Sequence, residues 1–182
     1  QTTPLQLCLM TAQIGNGGYS IKPKILVNND PLSFEKAKKK LKVQSLINPE
    51  TQLFKNPKNI KIVQEAMFSS TNEIYGTSFK SRIDDPKYQF AGKTGTAQVK
   101  RISKRERELD LKLEQIPYKD RDHALYIAYG PYINPRYALS IIVEHGGSGS
   151  RTAAPMAKEL FKLIIDRGEL RDKQPNFEKI DI

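Results

Sequence analysis

The residues of this chain that could do chemistry are concentrated in one short segment, Phe90–Val99. This run favours a β-strand, yet it carries a lysine, two hydroxyls, a glycine and an amide: Lys93, Thr94, Gly95, Thr96 and Gln98. Because side chains alternate between the faces of a strand, the two threonines and the glutamine share one polar face, and the lysine lies on the other. A glycine inside a strand usually marks the close approach of a ligand or another backbone. The segment therefore predicts a strand that binds a ligand.

Two motifs could explain the residues Gly92–Gly95. A phosphate-binding P-loop that ends in Gly92–Thr94 needs a glycine at position 87, where the chain has Lys87, and a helix directly after Thr94. The residues after Thr94 favour a strand instead, which counts against the P-loop. The other motif is the Lys-Thr-Gly element of serine penicillin-recognising enzymes, which lies on a strand beside the active-site serine. Three letters recur by chance, so the surrounding sequence has to decide.

Hydrophobic periodicity and capping residues predict three helices around this strand. They run from the Thr3-Pro4 cap to Asn16–Gly18, from Asn56-Pro57 to Gly76–Ser78, and from about Ala153 to Arg167, with Gly168 as the stop. The apolar residues expected on the inner faces of the second and third helices are Ile60, Val63, Met67, Met156, Leu160, Leu163 and Ile164.

Two near-continuous apolar runs, Ala124–Tyr129 and Ala138–Val143, are typical of central strands that are buried on both faces. The turn-rich link Pro131–Arg136 is short enough to make them an antiparallel pair. The predicted fold class is therefore α+β, an α/β sandwich in which helices pack on an antiparallel sheet, with the last helix lying against that sheet.

The charge of the chain admits a partner of another class. The 182 residues suffice for one domain with a core, and the formal net charge of +10 would suit a polyanion. However, acidic residues are interleaved with the basic ones, so we interpret the lysine-rich run Lys36–Lys42 as solvated surface and the charged segment 100–121 as a long insertion between strands. A module that binds nucleic acid through these segments is the alternative, although we expect no specific nucleic-acid partner.

The remaining candidate groups predict little chemistry. The single cysteine, Cys8, excludes an internal disulfide and falls in an apolar helical pattern, which favours a buried thiol over a nucleophile. His123 and His145 have no further ligands at suitable spacing, so we expect no metal site and no cofactor. No segment is long and apolar enough to cross a membrane. Because the sequence begins at Gln1 just before a helix, we expect it to be a piece of a larger protein.

Several separated pieces of the sequence agree, in order, with one family. They are Thr3–Leu7 with Asn16–Gly18, Ala91–Gln98, Arg121–Ala124, Ala128–Tyr132 with Asn134-Pro135, and Glu144–Gly149. In these pieces the chain, from about Thr2 to Arg167, resembles the transpeptidase domain of class B penicillin-binding proteins, and most closely the penicillin-binding protein 2 branch that serves cell elongation. The resemblance implies that residues 1–168 are the C-terminal part of this domain, with the insertion at 100–121 and a polar tail at 169–182.

The resemblance also implies a site. In this family a serine attacks the D-Ala-D-Ala end of a peptidoglycan stem peptide, and the amine of a second peptide resolves the acyl-enzyme into a cross-link; β-lactams mimic the dipeptide. Carried over by position, Lys93 supplies positive charge and helps proton movement, while the hydroxyls of Thr94 and Thr96 hold the terminal carboxylate. The Thr96 N–H forms one arm of the oxyanion hole, Gly95 lets substrate lie along the strand, and Gln98 borders the cleft. Strand alternation turns Lys93 away from the hydroxyl face, so its role requires a twisted edge or access beneath the strand.

The chain contains two matches to the family's other motifs. Ser33–Lys36 matches Ser-x-x-Lys and Ser70–Asn72 matches Ser-x-Asn, but both follow the first helix, whereas the family order places both motifs before it. We interpret both as chance matches. The nucleophilic serine, the general base and the membrane anchor are then expected upstream, and we expect this chain alone to be inactive and to bind no penicillin covalently.

The resemblance implies partners and a location as well. The expected ligands of the parent protein are the stem peptide and β-lactams, its expected partners are membrane proteins of the elongation complex, and its expected place is the periplasmic side of the bacterial inner membrane. A β-lactam sensor or a β-lactamase that shares the strand is an alternative. A sheet without its neighbouring strands would expose an edge and apolar surface, so a homodimer of this chain is also an expectation.

Overall fold

The computed structural model describes residues 2–23, 47–100 and 111–173. Its three helices are α1 (Pro4–Gly15), α2 (Pro57–Asn72) and α3 (Ala154–Lys173). Its strands are β1 (Tyr19–Ile21), β2 (Ile47–Gln52), β3 (Ala91–Ala97), β4 (His123–Gly130) and β5 (Tyr137–Val143). The run Lys36–Lys42, the match Ser33–Lys36, most of the 100–121 insertion's first half and the end of the tail lie outside the described residues.

The strands form a three-stranded antiparallel sheet in the order β3-β4-β5 and a separate two-stranded antiparallel ribbon, β1-β2. The antiparallel pairing of the two apolar runs is therefore confirmed, as is the α+β class. Within the described residues, however, only β4 has a strand on both sides. There β5, which the sequence predicts as a central strand too, has β4 on one side only, and its Ile142 is 36% exposed.

Helix α1 begins as its sequence predicts. The Thr3 hydroxyl accepts a hydrogen bond from the Gln6 N–H at 3.2 Å, and the Gln6 side chain accepts one from the Thr3 N–H at 2.8 Å. This capping box satisfies amide groups that a helix start leaves unpaired. The helix ends at Gly15, and Gly17 and Gly18 adopt φ values of 90° and 92°, which glycine alone adopts readily.

The two faces of the sheet bury separate clusters. On one face, β4 contributes Ala124, Tyr126 and Ala128 to a core beneath α3, where Phe90 stacks on Phe161 with ring centroids 4.8 Å apart. On the other face, Tyr129 packs among residues of α1, α2 and β3, namely Ile14, Ile60, Met67 and Ala91. The sheet is thus covered on both faces, and β3 is supported from both.

Helix α2 is shorter than its sequence predicts. Ile60 and Met67 are buried as expected, but Val63 is 40% exposed. The helix ends at Asn72, before Gly76–Ser78, because the chain folds back on the last turn: the Ser78 N–H and the Ser78 hydroxyl both donate to the Ser70 carbonyl oxygen at 3.0 Å. These bonds satisfy a carbonyl that the helix end leaves free.

The inner face predicted for α3 was wrong for three of its four residues, and the fourth, Ile164, is half-buried. Met156, Leu160 and Leu163 are 48%, 40% and 67% exposed. The buried face instead carries small residues beside two larger ones, Ala154, Ala157, Phe161, Ile165 and Gly168. Because this helix carries apolar residues on several sides, its hydrophobic pattern does not specify which side faces the sheet. The small residues allow the closer approach to the sheet.

Helix α3 also continues through Gly168 to Lys173. The hydroxyl of Tyr137 on β5 lies where a Cβ on Gly168 would be. The glycine therefore permits close approach of the Tyr137 side chain and does not stop the helix as the sequence suggested. None of the helices in the three described ranges combines the length and the apolar character that a membrane crossing requires.

The thiol of Cys8 is half-buried on α1, and its Sγ lies 3.5 Å from the Ala138 carbonyl oxygen. Burial raises the pKa of the Cys8 thiol, so at a given pH a smaller fraction is thiolate in the folded state than in the unfolded state. We expect iodoacetamide to modify Cys8 at least several-fold more slowly in the folded protein than in 6 M urea. We also expect the rise of this rate with pH to occur at a higher pH in the folded protein than in urea. Equal rates in the two states would contradict this placement.

Candidate functional site

Strand β3 carries the candidate residues at an outer edge of the sheet, with β4 on its inner side. Within the described ranges no strand pairs with the outer edge. Lys93 and Thr96 are exposed on it, and Thr94 and Gly95 are half-buried. An unpaired edge offers backbone N–H and C=O groups to a ligand in an extended conformation.

Lys93 and Thr94 lie on opposite faces, as strand alternation predicts, since Lys93 is opposite Ile127 and Thr94 is opposite Tyr126. The lysine nevertheless reaches the edge, because its Nζ curls back and donates to the Thr94 carbonyl oxygen at 2.8 Å. The lysine side chain also lines a cavity of about 630 Å³ together with Ile127 and Thr77. The ammonium thus reaches the outer edge with no break in the strand.

The cavity beside Lys93 is mostly apolar. Its wall comes from α1, α2 and the loop after α2, and includes Ile14, Val63, Met67 and Tyr75. The polar side chains on it are those of Ser69, Ser70, Glu73, Thr77 and Lys93. A cavity with apolar walls and a few polar groups is the usual form of a ligand site.

The Thr94 hydroxyl has a side-chain partner that its strand does not supply. Its Oγ1 lies 3.4 Å from Thr77 Oγ1, and Thr77 Oγ1 lies 3.2 Å from Ser70 Oγ. Ser70 is on the last turn of α2, and Thr77 is on the loop that folds back over that turn. The structure therefore connects the Ser70–Asn72 match to the strand through hydroxyls, while Asn72 itself donates to the Phe90 carbonyl oxygen at 3.0 Å and so ties α2 to the start of β3.

A second group of hydroxyls lies buried beneath β3. The phenol of Tyr126 is 2.9 Å from Thr71 Oγ1 and 3.0 Å from Ser78 Oγ. Burial raises the pKa of the Tyr126 phenol, although these two hydrogen bonds oppose the rise. Gly92 is required here, because a Cβ on it would overlap the phenol. Neutral, hydrogen-bonded and fully buried, Tyr126 fixes the position of the loop that carries Thr77.

Gly95 is approached by another backbone of the same chain. A Cβ on Gly149 would lie 2.6 Å from the Gly95 carbonyl oxygen and 2.5 Å from the Leu125 carbonyl oxygen. Gly149 begins the wide helical turn Gly149–Ala153 that leads into α3. The sequence predicts that a ligand or another backbone approaches Gly95, and the structure shows a backbone there. The residue that must be glycine for this contact is Gly149.

The strand ends earlier than the sequence predicts, at Ala97, so Gln98 lies just beyond it and is exposed. The partner strand β4 starts at His123, which pairs with Ala97, so the pairing of the two strands ends there and does not include Gln98. The Val99 N–H is hydrogen-bonded by the Asp122 carboxylate at 3.2 Å. Strand alternation therefore does not place Gln98 on the face of Thr94 and Thr96.

The two histidines lie together at this end of the sheet, with ring centroids 4.9 Å apart. His123 Nδ1 accepts a hydrogen bond from the His145 N–H at 3.0 Å, and His145 Nδ1 contacts the Arg121 carbonyl oxygen at 3.1 Å. These bonds hold the turn after β5, where His145 has a φ of 56°. In the described ranges no group of three His, Cys, Asp or Glu residues is suited to hold a metal ion.

The loop that enters β3 is fastened to α3. Lys87 Nζ lies 3.0 Å from both Asp166 Oδ1 and Glu169 Oε2, and the Tyr88 hydroxyl donates to Asp166 at 2.6 Å. The hydrogen bond from Tyr88 and then that from Lys87 lower the pKa of Asp166, and the bonds to Tyr88, Glu169 and Asp166 raise the pKa of Lys87. Because Asp166 is exposed and the other three side chains are only half-buried, these contacts orient the loop and contribute little to the stability of the fold.

Sequence reasoning did not identify Thr77 or Tyr126. The sequence predicts Thr77 as part of a helix stop and Tyr126 as a core residue. In the structure Thr77 follows the end of α2, and Tyr126 is buried. Their hydroxyl partners come from segments 17 and 48 residues away, at Thr94 and Ser78. A local pattern carries no signal for such contacts.

A family model described as the penicillin binding protein transpeptidase domain matches residues 1–162. Among curated proteins, the peptidoglycan D,D-transpeptidase MrdA of Salmonella typhimurium is 31% identical over 164 residues, which is 90% of this chain and 25% of that protein. MrdA of Haemophilus influenzae is 28% identical over 99% of this chain and 25% of its own length. This chain therefore spans about a quarter of the length of the curated relatives it matches.

Solved structures agree with these relatives. A complex between penicillin-binding protein PBP2 and MreC from Helicobacter pylori matches with a TM-score of 0.66 and 27% identity, covering 92% of this chain and 25% of the other. Pseudomonas aeruginosa PBP2 in complex with WCK 5153 matches with a TM-score of 0.62 and 29% identity, covering 90% of this chain and 30% of the other. The resemblance to the penicillin-binding protein 2 branch is thus confirmed.

Proposed function

Because this chain belongs to the penicillin-binding protein transpeptidase family, we propose that it forms the substrate-binding wall of a peptidoglycan D,D-transpeptidase that acts in cell elongation. One observation carries the proposal. The outer edge of β3 is unpaired in the described part of the chain, and Lys93, Thr94 and Thr96 lie along it beside the cavity. An extended peptide can add to such an edge as a further strand.

The chemistry of the substrate fits these groups. A stem peptide ends in D-Ala-D-Ala, whose terminal carboxylate only accepts hydrogen bonds, and the hydroxyls of Thr94 and Thr96 can donate to it. The ammonium of Lys93 adds a positive charge at the same edge, at 2.8 Å from the Thr94 carbonyl oxygen. Gly95, between the two threonines, leaves room for a peptide to lie along the strand. Gln98, just past the end of β3, would border the cleft.

We assign the nucleophile of this reaction to a serine in another segment of the complete protein. Its Oγ attacks the carbonyl carbon of the penultimate D-Ala, the bond to the terminal D-Ala breaks, and the terminal residue leaves with a proton on its amine. The amine of a second stem peptide then attacks the ester, which forms the cross-link and returns the proton to the serine. We assign one oxyanion-hole donor to the Thr96 N–H, and to Lys93 the electrostatic support of these proton transfers.

We expect this chain alone to give no covalent band with a fluorescent penicillin, because we assign the nucleophile to a segment outside it. The complete protein that contains this chain should give a band and should release D-Ala from a stem pentapeptide. A stable band with this chain alone would overturn the assignment and would point to Ser33 or another serine here. A complete protein that gives neither band nor D-Ala release would overturn the proposed function.

We infer the partners and the cellular location of the complete protein by analogy with its relatives. The matched Helicobacter pylori structure contains MreC, and the matched Pseudomonas aeruginosa structure contains WCK 5153. By analogy, the complete protein would assemble with elongation proteins on the periplasmic side of the inner membrane and would be acylated by β-lactams, which mimic D-Ala-D-Ala. The curated relatives are named as transpeptidases, which favours this function over a β-lactam sensor, a β-lactamase or a nucleic-acid-binding module.

A further inference from the structure

Three hydroxyls form a line that ends on the proposed carboxylate-binding threonine. Ser70 Oγ is 3.2 Å from Thr77 Oγ1, which is 3.4 Å from Thr94 Oγ1. Thr77 and Thr94 come from different elements, the loop after α2 and strand β3, and Thr77 is exposed beside the cavity that Lys93 lines. The line therefore runs from the end of a helix to the binding edge.

Each hydroxyl has one proton to donate and can also accept a hydrogen bond. If Thr94 donated its proton to Thr77, none would remain for a carboxylate. If Ser70 donates to Thr77 and Thr77 donates to Thr94, the Thr94 oxygen is already satisfied as an acceptor, and its proton is free to point at the ligand. Hydrogen bonds in such a line polarise one another, so the last donor becomes stronger.

We propose that Thr77, supported by Ser70, is a positioning residue that orients the Thr94 hydroxyl as a donor. This orientation makes the site selective for ligands with a free carboxylate. The proposal rests on the transpeptidase function proposed above. A carboxylate only accepts, and so it matches a line that ends in a donor. An ester oxygen is a weaker, uncharged acceptor and gains less from the same arrangement. The distance of 3.4 Å is long for two hydroxyls, so the proposal requires this contact to shorten when ligand is bound.

The surrounding contacts make this orientation a property of the fold. The neighbouring residue Ser78 is fixed by hydrogen bonds from its amide and its hydroxyl to the Ser70 carbonyl oxygen, both at 3.0 Å, and by the buried Tyr126 phenol at 3.0 Å. A Cβ on Gly76 would overlap the Ser70 carbonyl oxygen, so the loop lies directly on the helix end. Thr77 is thereby held between Ser70 and Thr94.

The test uses the complete transpeptidase and two probes, benzylpenicillin and its methyl ester, with the second-order acylation rate constant as the readout. We expect Thr77→Val to lower the rate for benzylpenicillin by about 3- to 10-fold, the usual effect of one hydrogen bond, and to lower the rate for the ester much less. Thr77→Ser should restore the preference, because it keeps the hydroxyl. Ser70→Ala should give a smaller loss in the same direction.

The outcomes separate this proposal from the one on which it rests. An unchanged preference in Thr77→Val, or an equal loss for both probes, would overturn the positioning role, the second by showing a merely structural effect. Thr94→Val should lose the preference whether or not Thr77 orients it. If Thr94→Val retains the full preference for the carboxylate, the assignment of Thr94 as a carboxylate donor fails, and the proposal fails with it.

Discussion

Lys93→Ala in the complete transpeptidase is expected to lower the rate of acylation by a fluorescent penicillin by about 100-fold or more, the lower end of what a group that assists proton transfer contributes. The substitution removes the ammonium from the binding edge and, with it, the hydrogen bond at 2.8 Å to the Thr94 carbonyl oxygen. It should leave the fold intact, because the Lys93 side chain is exposed and belongs to neither buried cluster. Stopped-flow acylation kinetics measure the first effect and circular dichroism the second.

The control for this prediction is Lys61→Ala, which removes an exposed lysine on α2 that does not line the cavity. It changes the net charge by the same amount, so a general electrostatic effect would lower both rates alike. We expect the Lys61 variant to react at the rate of the unmodified enzyme. A Lys93→Ala enzyme that is acylated at that rate as well would remove Lys93 from the mechanism.

The sequence predicts those parts of the fold that short-range chemistry determines. The helix cap at Thr3 depends on residues that are close in the chain, and the pairing of β4 with β5 depends on continuous apolar runs joined by a short link. The sequence does not predict which face of α3 packs on the sheet, because Met156 and Leu163 are as apolar as the buried Phe161, and only the sheet distinguishes them. Small residues such as Ala157 determine which face approaches the sheet, and a hydrophobic pattern gives them little weight.

The same distinction applies to the site. The motif strand follows from the sequence, since Lys93, Thr94 and Thr96 stand on one short run. The exposure of Lys93 and Thr96 at an edge agrees with a binding role. The end of the strand does not follow, because it depends on where β4 begins and on the hydrogen bond between Asp122 and Val99. The sequence does not predict the contact of Thr77 either, because its partner Thr94 is brought near only when α2 packs beside β3.

The role of Gly149 connects the fold to the site. A Cβ at this position would meet the carbonyl oxygens of Gly95 and Leu125 at 2.6 Å and 2.5 Å, and these are backbone atoms, which cannot rotate away. Gly149→Ala must therefore displace β3, β4 or the turn into α3. Overpacking of this kind costs about 1–3 kcal/mol of the free energy of unfolding. We expect a lower midpoint of thermal unfolding and, because the displaced strand carries Thr94 and Thr96, slower acylation of the complete enzyme.

A matched control decides whether the effect comes from the close backbone contact. Gly95→Ala places the same methyl group in the facing strand, where its nearest neighbour is the Leu125 Cβ at 3.2 Å and a small adjustment suffices. We therefore expect the unfolding midpoint to fall much less for Gly95→Ala than for Gly149→Ala. If the two variants unfold at the same temperature, the contact between Gly149 and β3 does not hold the strand in place. The position of the binding edge must then depend on the pairing of β3 with β4 and on the contacts of α2.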